Sequence, residues 1–141
     1  MITRLQLNYQ KINISITKKR GSFMFIIRWL LGRIILLLNF IFTPKKRKRE
    51  IHEQIKIDLQ TKSLQLYQYL ACPFCVKVRR ALRRQGLNIA IVDAKNAEHK
   101  QVLLNEAGKV QVPCLRIEEN EKVTWLYESS AIIDYLNKRF A

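Results

Sequence analysis

Two cysteines separated by two residues, in the stretch Cys72-Pro73-Phe74-Cys75, are the residues best suited to chemistry in this sequence. This spacing lets the second thiol reach back to the first from the same turn of chain. The pair can therefore close and reopen as a disulfide. Thiol–disulfide exchange is the chemistry that these residues predict.

The elements on either side would place this dithiol where a strand turns into a helix. Residues 64–70 alternate apolar and polar side chains as a half-buried strand does, whereas Val76 and Leu82 follow at helical spacing. Pro73 fits the first turn of a helix because its missing N–H costs nothing there. Free amides and the helix dipole at that position favour negative charge on sulfur, so we expect Cys72 to be rich in thiolate.

Two other interpretations of the cysteines compete with a redox role. One is half of a zinc site, but the remaining candidate ligands Cys114, His52 and His99 form neither a second paired motif nor a regular spacing. The other is a pair of buried core cysteines, although this pair brackets a proline at a strand-to-helix junction. We favour redox chemistry over both and expect no metal.

Length and charge divide the chain into a domain of about a hundred residues and a basic appendage. Residues 1–50 hold 12 of the 26 lysines and arginines but only one of the 11 acidic residues. The rest shows no basic stripe interleaved with aromatics, which argues against a nucleic-acid partner. Three cysteines, two in one redox motif, do not make the disulfide framework of a secreted protein, so a reducing compartment fits better.

The predicted helix after the dithiol carries a row of cations, namely Lys77, Arg79, Arg80, Arg83 and Arg84. Such a row can be a solvated face. We favour a second role, in which the row helps an anionic thiol partner to dock.

The N-terminal part contains a candidate membrane helix. Residues 1–22 show no motif, and Met24 is an alternative start; residues 23–42 are apolar and about as long as one bilayer-spanning helix. Arg28 near its end can snorkel, so Arg33 carries the main cost of insertion. We expect a crossing helix, with an interfacial helix held by anionic lipid as the alternative.

A basic run, Lys45-Lys46-Arg47-Lys48-Arg49, follows the apolar stretch at once. Positive charge beside a membrane helix stays on the cytoplasmic side, so the run predicts a single-pass protein whose remaining chain is cytoplasmic. A cleaved signal peptide is disfavoured because no small-residue cleavage site precedes the run. A nuclear-import signal is also disfavoured, since a topological anchor explains the charges. We interpret residues 43–63 as a basic anchor and a linker, with 50–63 as the tether.

Residues 64–141 predict one α/β domain. The apolar pattern indicates strands at 64–70, 89–93, 112–117 and 123–127 and helices at 75–85, 97–107 and 130–139. Residues 89–93 are typical of a buried strand, and Ser129 can cap the final helix. The order β-α-β-α-β-β-α predicts a mixed four-stranded sheet with helices on both faces.

This arrangement resembles a glutaredoxin, a member of the thioredoxin fold, with details similar to the N-terminal domain of glutathione transferases. The resemblance covers residues 64–140 and rests on three motifs, which are Cys72-Pro73-Phe74-Cys75, Gly108-Lys109-Val110-Gln111-Val112-Pro113 and Tyr127-Glu128-Ser129-Ser130-Ala131-Ile132-Ile133-Asp134-Tyr135-Leu136. Leu70-Ala71 departs from glutaredoxins, in which a lysine is common there. Glu128-Ser129 follows the transferase style instead. A transferase would need an all-helical domain afterwards, so we do not expect conjugation of electrophiles.

The resemblance implies glutathione as the co-substrate and a set of residues that bind it. It implies a cis peptide between Val112 and Pro113 beside the active thiol, with the backbone of Val112 pairing with the cysteinyl part of glutathione. It also implies that Glu128 and Ser129 hold the γ-glutamyl end. Further candidates for contact with glutathione are Phe74, Lys77 and Lys109, and the two lysines would face the glycine carboxylate.

Together these features predict a glutathione-dependent thiol–disulfide oxidoreductase, tethered at the cytoplasmic face of a membrane and acting on protein disulfides or glutathionylated proteins. Cys72 would attack, and Cys75 or a second glutathione would resolve the intermediate. One alternative is a non-catalytic adaptor that binds glutathione or a protein thiol. Another is an iron–sulfur cluster held by Cys72 and glutathione in a dimer. We interpret Cys114 as a buried strand residue.

Overall fold

The computed structural model describes residues 4–140. In chain order the elements are α1 Arg4–Ile41, α2 Ile51–Thr61, β1 Leu64–Gln68, α3 Pro73–Gln85, β2 Ala90–Asp93, α4 Ala97–Ala107, β3 Cys114–Glu119, β4 Lys122–Tyr127 and α5 Ser129–Phe140. From β1 onward this is the predicted order β-α-β-α-β-β-α. The first three residues of the predicted segment 1–22, and the last residue of the predicted domain, lie outside the described residues.

The four strands form one mixed sheet in the order β2-β1-β3-β4. β1 pairs with β2 in parallel and with β3 in antiparallel fashion, and β3 and β4 form the antiparallel hairpin. The parallel pair needs α3 as its crossover, whereas a short turn suffices for the hairpin. The predicted fold class is confirmed.

Each face of the sheet buries a separate apolar cluster. On one face Leu64 and Leu66 of β1 pack with Val78 of α3 and with Ile132 and Leu136 of α5. On the other face Tyr67 of β1 and Cys114 of β3 pack with Leu103 of α4. Successive side chains of a strand point to opposite faces, so β1 contributes to both clusters. Helices therefore cover both faces, as expected.

The strand β2 corrects one detail of the prediction. Its apolar run was interpreted as a buried strand, but β2 lies at the edge of the sheet and Ile91 is 48% exposed. β2 is hydrogen-bonded to β1 alone. An apolar run of this length does not distinguish a central strand from an edge strand, because both need one apolar face.

Some boundaries differ from those predicted by one or two residues. α3 begins at Pro73, before Cys75, and α5 begins at Ser129, so Ser129 lies inside that helix instead of capping it. β3 begins at Cys114 after a cis peptide between Val112 and Pro113. Proline has no N–H to donate to a sheet, which explains why the strand starts only after it.

The segment interpreted as a tether contains the helix α2, which contacts the domain. Ile57 packs against the core cluster of α3 and α5, and Thr61 Oγ1 donates to the carbonyl of Asn88 at 2.9 Å. Gln54 Nε2 donates to the carbonyl of Gly86 at 3.0 Å. Ile57 and Thr61 lie one turn apart, so a single stripe of the helix faces the domain.

The predicted apolar stretch forms the C-terminal half of α1. Residues 23–41 are long and apolar enough to cross a membrane, and most of their large side chains are exposed, with Phe40 at 81%. The helix approaches the domain at Gly32, where an added Cβ would lie 3.4 Å from the Cβ of Ala71. An exposed apolar surface of this extent is typical of a segment that contacts a membrane or another protein.

Candidate functional site

Cys72 and Cys75 lie at the start of α3, as the sequence predicted. Cys72 is the N-cap residue, Pro73 opens the helix, and the carbonyl of Cys72 accepts a hydrogen bond from the N–H of Val76 at 2.9 Å. Both thiols are free; Cys72 is half-buried, whereas Cys75 is fully buried. Only the first thiol is therefore open to a partner from solvent.

The two thiols interact with each other. Burial raises the pKa of Cys75 to about 12, a backbone hydrogen bond with Tyr69 opposes this shift, and a hydrogen bond with the neighbouring Cys72 adds to it. At neutral pH Cys75 is therefore a neutral thiol beside Cys72. A buried, protonated thiol is a weak nucleophile, because the thiolate is the reacting species.

Arg79 is the functional residue that the sequence analysis misplaced. It was counted in a solvated or docking face, but its guanidinium is half-buried, where it donates to the side chain of Gln68 and to the carbonyl of Leu70 at 2.8 Å. Burial lowers the pKa of Arg79, and its charge interacts with both Cys75 and Cys72. Arg79 therefore attracts negative charge on either sulfur of the pair.

The turn before β3 brings a third thiol near the site. Pro113 and Cys114 are buried. Burial raises the pKa of Cys114 to about 11, and a hydrogen bond with Tyr127 opposes the shift. The phenol of Tyr127 also donates to the carbonyls of Ala107 and Lys109, both at 3.2 Å. Cys114 is thus an inert core thiol, consistent with its predicted role in the strand.

The third motif lies on the turn between β4 and α5. Glu128 is exposed and adopts a left-handed backbone with φ of 69°, and its carboxylate accepts from Gln111 Nε2 at 3.0 Å. The carbonyl of Glu128 accepts from Ile132 at 3.0 Å, and Ser129 is buried at the start of α5. Gln111 was quoted as part of a motif but was not singled out, and no sequence signal indicates that it reaches Glu128.

Strand pairing places all three motifs at one end of the sheet. Cys72 follows the end of β1, where Tyr67 is paired with Cys114 at the start of β3. Cys114 is in turn paired with Tyr127, the last residue before Glu128. The dithiol, the cis proline and Glu128 therefore follow or precede strands at the same sheet end, although they are far apart in sequence.

The remaining predicted residues lie around this end. Phe74 and Lys77 are exposed on the first turns of α3, and Val112 is half-buried before the cis proline. The ammonium of Lys109 lies over the ring of Tyr127, 4.2 Å from its centroid. Within residues 4–140, no three His, Cys, Asp or Glu side chains are grouped so as to hold a metal ion.

The fold and the site define a thioredoxin-like domain. Its Cys-x-x-Cys pair lies at the start of the first helix after β1. The model of the glutathione S-transferase N-terminal domain family matches residues 66–141, and the chain belongs to that family. The resemblance drawn from the three motifs is thereby confirmed, chiefly on its transferase side.

Individual relatives match part of the chain. Prostaglandin E synthase 2 of Mus musculus is 36% identical over 73 residues, which are 52% of this chain and 18% of that protein. A maleylacetoacetate isomerase structure from Anaeromyxobacter dehalogenans, with GSH bound in its active site, is 30% identical with a TM-score of 0.43, covering 57% of this chain and 39% of that one. Oxidised glutaredoxin 2 of Chlamydomonas reinhardtii is 22% identical with a TM-score of 0.42, covering 61% and 81%. The chain thus spans about a fifth of the mouse protein's length.

Proposed function

We propose that this protein is a glutathione-dependent thiol–disulfide oxidoreductase anchored at the cytoplasmic face of a membrane. The observation that carries the proposal is the pairing of a half-exposed Cys72 at a helix N-terminus with a buried Cys75 and the guanidinium of Arg79. The helix N-terminus and the guanidinium of Arg79 place positive potential beside the sulfur of Cys72, which supports Cys72 as the attacking residue. Family membership supports glutathione as the co-substrate.

The reaction consists of two exchanges of a sulfur–sulfur bond. The Cys72 thiolate attacks the glutathione sulfur of a protein–glutathione mixed disulfide, and the target leaves as a thiolate that takes up a proton. A second glutathione, as its thiolate, then attacks the glutathione sulfur on Cys72, which releases oxidised glutathione and restores the Cys72 thiolate. A pKa of about 12 leaves little Cys75 thiolate at neutral pH, so this second step favours glutathione over Cys75.

The residues at the same sheet end would hold glutathione. The backbone of Val112 beside the cis Pro113 would pair with its cysteinyl part, and Glu128 with Ser129 would bind the γ-glutamyl amine and carboxylate. Gln111 holds the Glu128 carboxylate at 3.0 Å, which would orient it toward the amine. Phe74, Lys77 and Lys109 would form the rim, with the lysines toward the glycine carboxylate.

Mixed-disulfide reduction by the full chain in detergent tests the chemistry. With glutathione as reductant and a glutathionylated peptide as substrate, we expect Cys72→Ser to reduce the rate to background. Cys75→Ser should keep at least half of the rate, and Cys114→Ser, the matched control, should change it less than twofold. Activity that survives without Cys72 would refute the mechanism. A folded protein that binds glutathione but exchanges no disulfide would instead be a binding adaptor.

We further propose that α1 anchors the domain to the membrane. The exposed apolar surface of residues 23–41 supports this, and the basic run 45–49 favours the cytoplasmic side. The approach of Gly32 to Ala71 favours a helix lying in the interface over the crossing helix expected from length. Gly32 lies near the middle of residues 23–41, and the middle of a crossing helix lies in the hydrocarbon core of the bilayer. The charged surface of the domain cannot enter that core, so Ala71 could not then lie beside Gly32.

Labelling of intact cells with a membrane-impermeant maleimide tests this arrangement. Cys72 should stay unlabelled until the cells are broken, and its labelling in intact cells would refute the cytoplasmic placement. A Ser15→Cys variant distinguishes the two helix arrangements. Labelling of the new cysteine from outside requires a crossing helix, whereas protection supports the interfacial one.

A further inference from the structure

A cavity lies beside α3, and it is lined by neither the cysteines nor the predicted glutathione-binding residues. It has a volume of about 690 Å³ and opens between the C-terminal end of α1, α3 and the edge strand β2. Its cationic wall consists of Lys46, Arg79, Arg80 and Arg83. Its apolar wall includes Leu82, Leu87 and Ile91. None of the described residues that line it is acidic. The cavity therefore favours a ligand that is both anionic and partly apolar.

Hydrogen bonds hold the cationic wall in place. Arg83 Nε donates to the carbonyl of Pro44 at 2.9 Å, and Lys46 Nζ donates to the Asn88 side chain at 3.1 Å. Both bonds join the segment after α1 to the domain, and neither neutralises a cation, since each acceptor is an uncharged oxygen. The wall is thus positioned but keeps its positive charge.

The position of the cavity indicates where its ligand comes from. Asn39 and Thr43 line the cavity where the apolar stretch of α1 ends, so a membrane-associated α1 would bring the cavity to the level of lipid headgroups. The exposed Ile91 of β2 adds apolar surface beside the cations. A soluble inorganic anion would use the cations only, whereas a phospholipid also uses the apolar wall.

We propose that this cavity binds the phosphate group of an anionic phospholipid, with Lys46, Arg80 and Arg83 as its ligands. This site rests on the membrane association of α1 proposed above and is separate from the dithiol chemistry. It fixes the orientation of the domain on the membrane. Arg79, which also lines the cavity, donates to the carbonyl of Leu70, so the cavity wall adjoins the chain segment that leads to the dithiol.

Native mass spectrometry of the full chain, released from micelles that contain phosphatidylglycerol and phosphatidylcholine, tests the site. The wild-type protein should retain one phosphatidylglycerol at least tenfold more tightly than phosphatidylcholine. Each arginine near an anionic headgroup is worth about fivefold in affinity. The variant Arg80→Gln/Arg83→Gln should therefore retain phosphatidylglycerol about 25-fold more weakly.

A charge-matched variant, Lys48→Gln/Arg84→Gln, is the control. Both residues are exposed in the same basic region, and neither lines the cavity, so the affinity should fall less than threefold. Circular dichroism must show that both double variants are folded. Equal weakening in the two variants would show a diffuse surface potential and overturn the site.

Two further measurements test the lipid assignment separately from the membrane association of α1. Displacement of phosphatidylglycerol by millimolar inorganic phosphate, at constant ionic strength, would identify a free-anion site and overturn the lipid assignment; retention supports it. Flotation of the Arg80→Gln/Arg83→Gln variant with mixed phosphatidylcholine and phosphatidylglycerol vesicles reports the membrane association of α1 without the cavity. Failure to float would overturn the anchor, while absence of phosphatidylglycerol selectivity in the wild-type protein, when this variant still floats, would overturn only the cavity.

Discussion

The start of α3 and the start of β3 each bury one cysteine, and the two thiols differ in their neighbours. Cys75 and Cys114 are both fully buried, and burial raises the pKa of the first to about 12 and of the second to about 11. Cys75 is hydrogen-bonded to the sulfur of Cys72 and lies near the charge of Arg79, whereas Cys114 is hydrogen-bonded to Tyr127 and lies near the charge of Lys109. The two thiols are therefore equally buried but differ in their ability to form a disulfide.

The difference shows what turns a core thiol into a redox thiol. Desolvation alone makes a cysteine inert, because it disfavours the thiolate. A neighbouring sulfur supplies a bonding partner, and a neighbouring cation favours the charge that exchange requires. The strand-to-helix junction provides both at Cys75, whereas at Cys114 the charge of Lys109 is present but none of the described cysteines is among the groups that shift its pKa.

The sharpest test of this comparison is oxidation with glutathione disulfide. Wild-type protein and Cys114→Ser should each form the Cys72–Cys75 disulfide and lose two hydrogens while two glutathione molecules are released. Cys75→Ser should stop at a Cys72–glutathione mixed disulfide, heavier by one glutathionyl group. The measurement is mass spectrometry of the intact protein followed by peptide mapping, and the expected difference is all or none.

Closure of this disulfide should also depend steeply on pH. Cys75 must lose its proton to attack, and its pKa of about 12 lies above the working range, so the thiolate fraction rises about tenfold per pH unit. The closure rate should therefore increase roughly tenfold per unit from pH 7 to 9. A flat profile, or a disulfide that includes Cys114, would contradict the contrast between the two thiols.

The sequence was sufficient for the features that depend on local pattern. Alternation and helical spacing predicted the order of strands and helices, and the Cys72-to-Cys75 spacing located the dithiol. The exposure of Ile91 could not be predicted, since it depends on which strand ends the sheet. Arg79 could not be separated from Arg80 either, because only the packing of α3 on β1 directs one of them to Gln68.

The smallest expected effect concerns Arg79, which we interpret as a positioning and electrostatic residue. A unit charge near a half-exposed sulfur contributes on the order of 1 kcal/mol, or about fivefold in rate. Arg79→Gln should therefore slow alkylation of Cys72 by iodoacetamide at pH 7 about fivefold. Arg80→Gln removes an equal charge from the neighbouring residue and should slow the alkylation of Cys72 less than twofold.

A third variant separates charge from hydrogen bonding. Arg79 donates to the carbonyl of Leu70 at 2.8 Å, and glutamine can keep such a bond while losing the charge. Arg79→Lys keeps the charge and should restore most of the rate, whereas a purely structural clamp would be rescued better by glutamine. Equal slowing by Arg79→Gln and Arg80→Gln would assign the effect to the general field of the basic helix. The difference between the two buried thiols would then rest on the second sulfur alone.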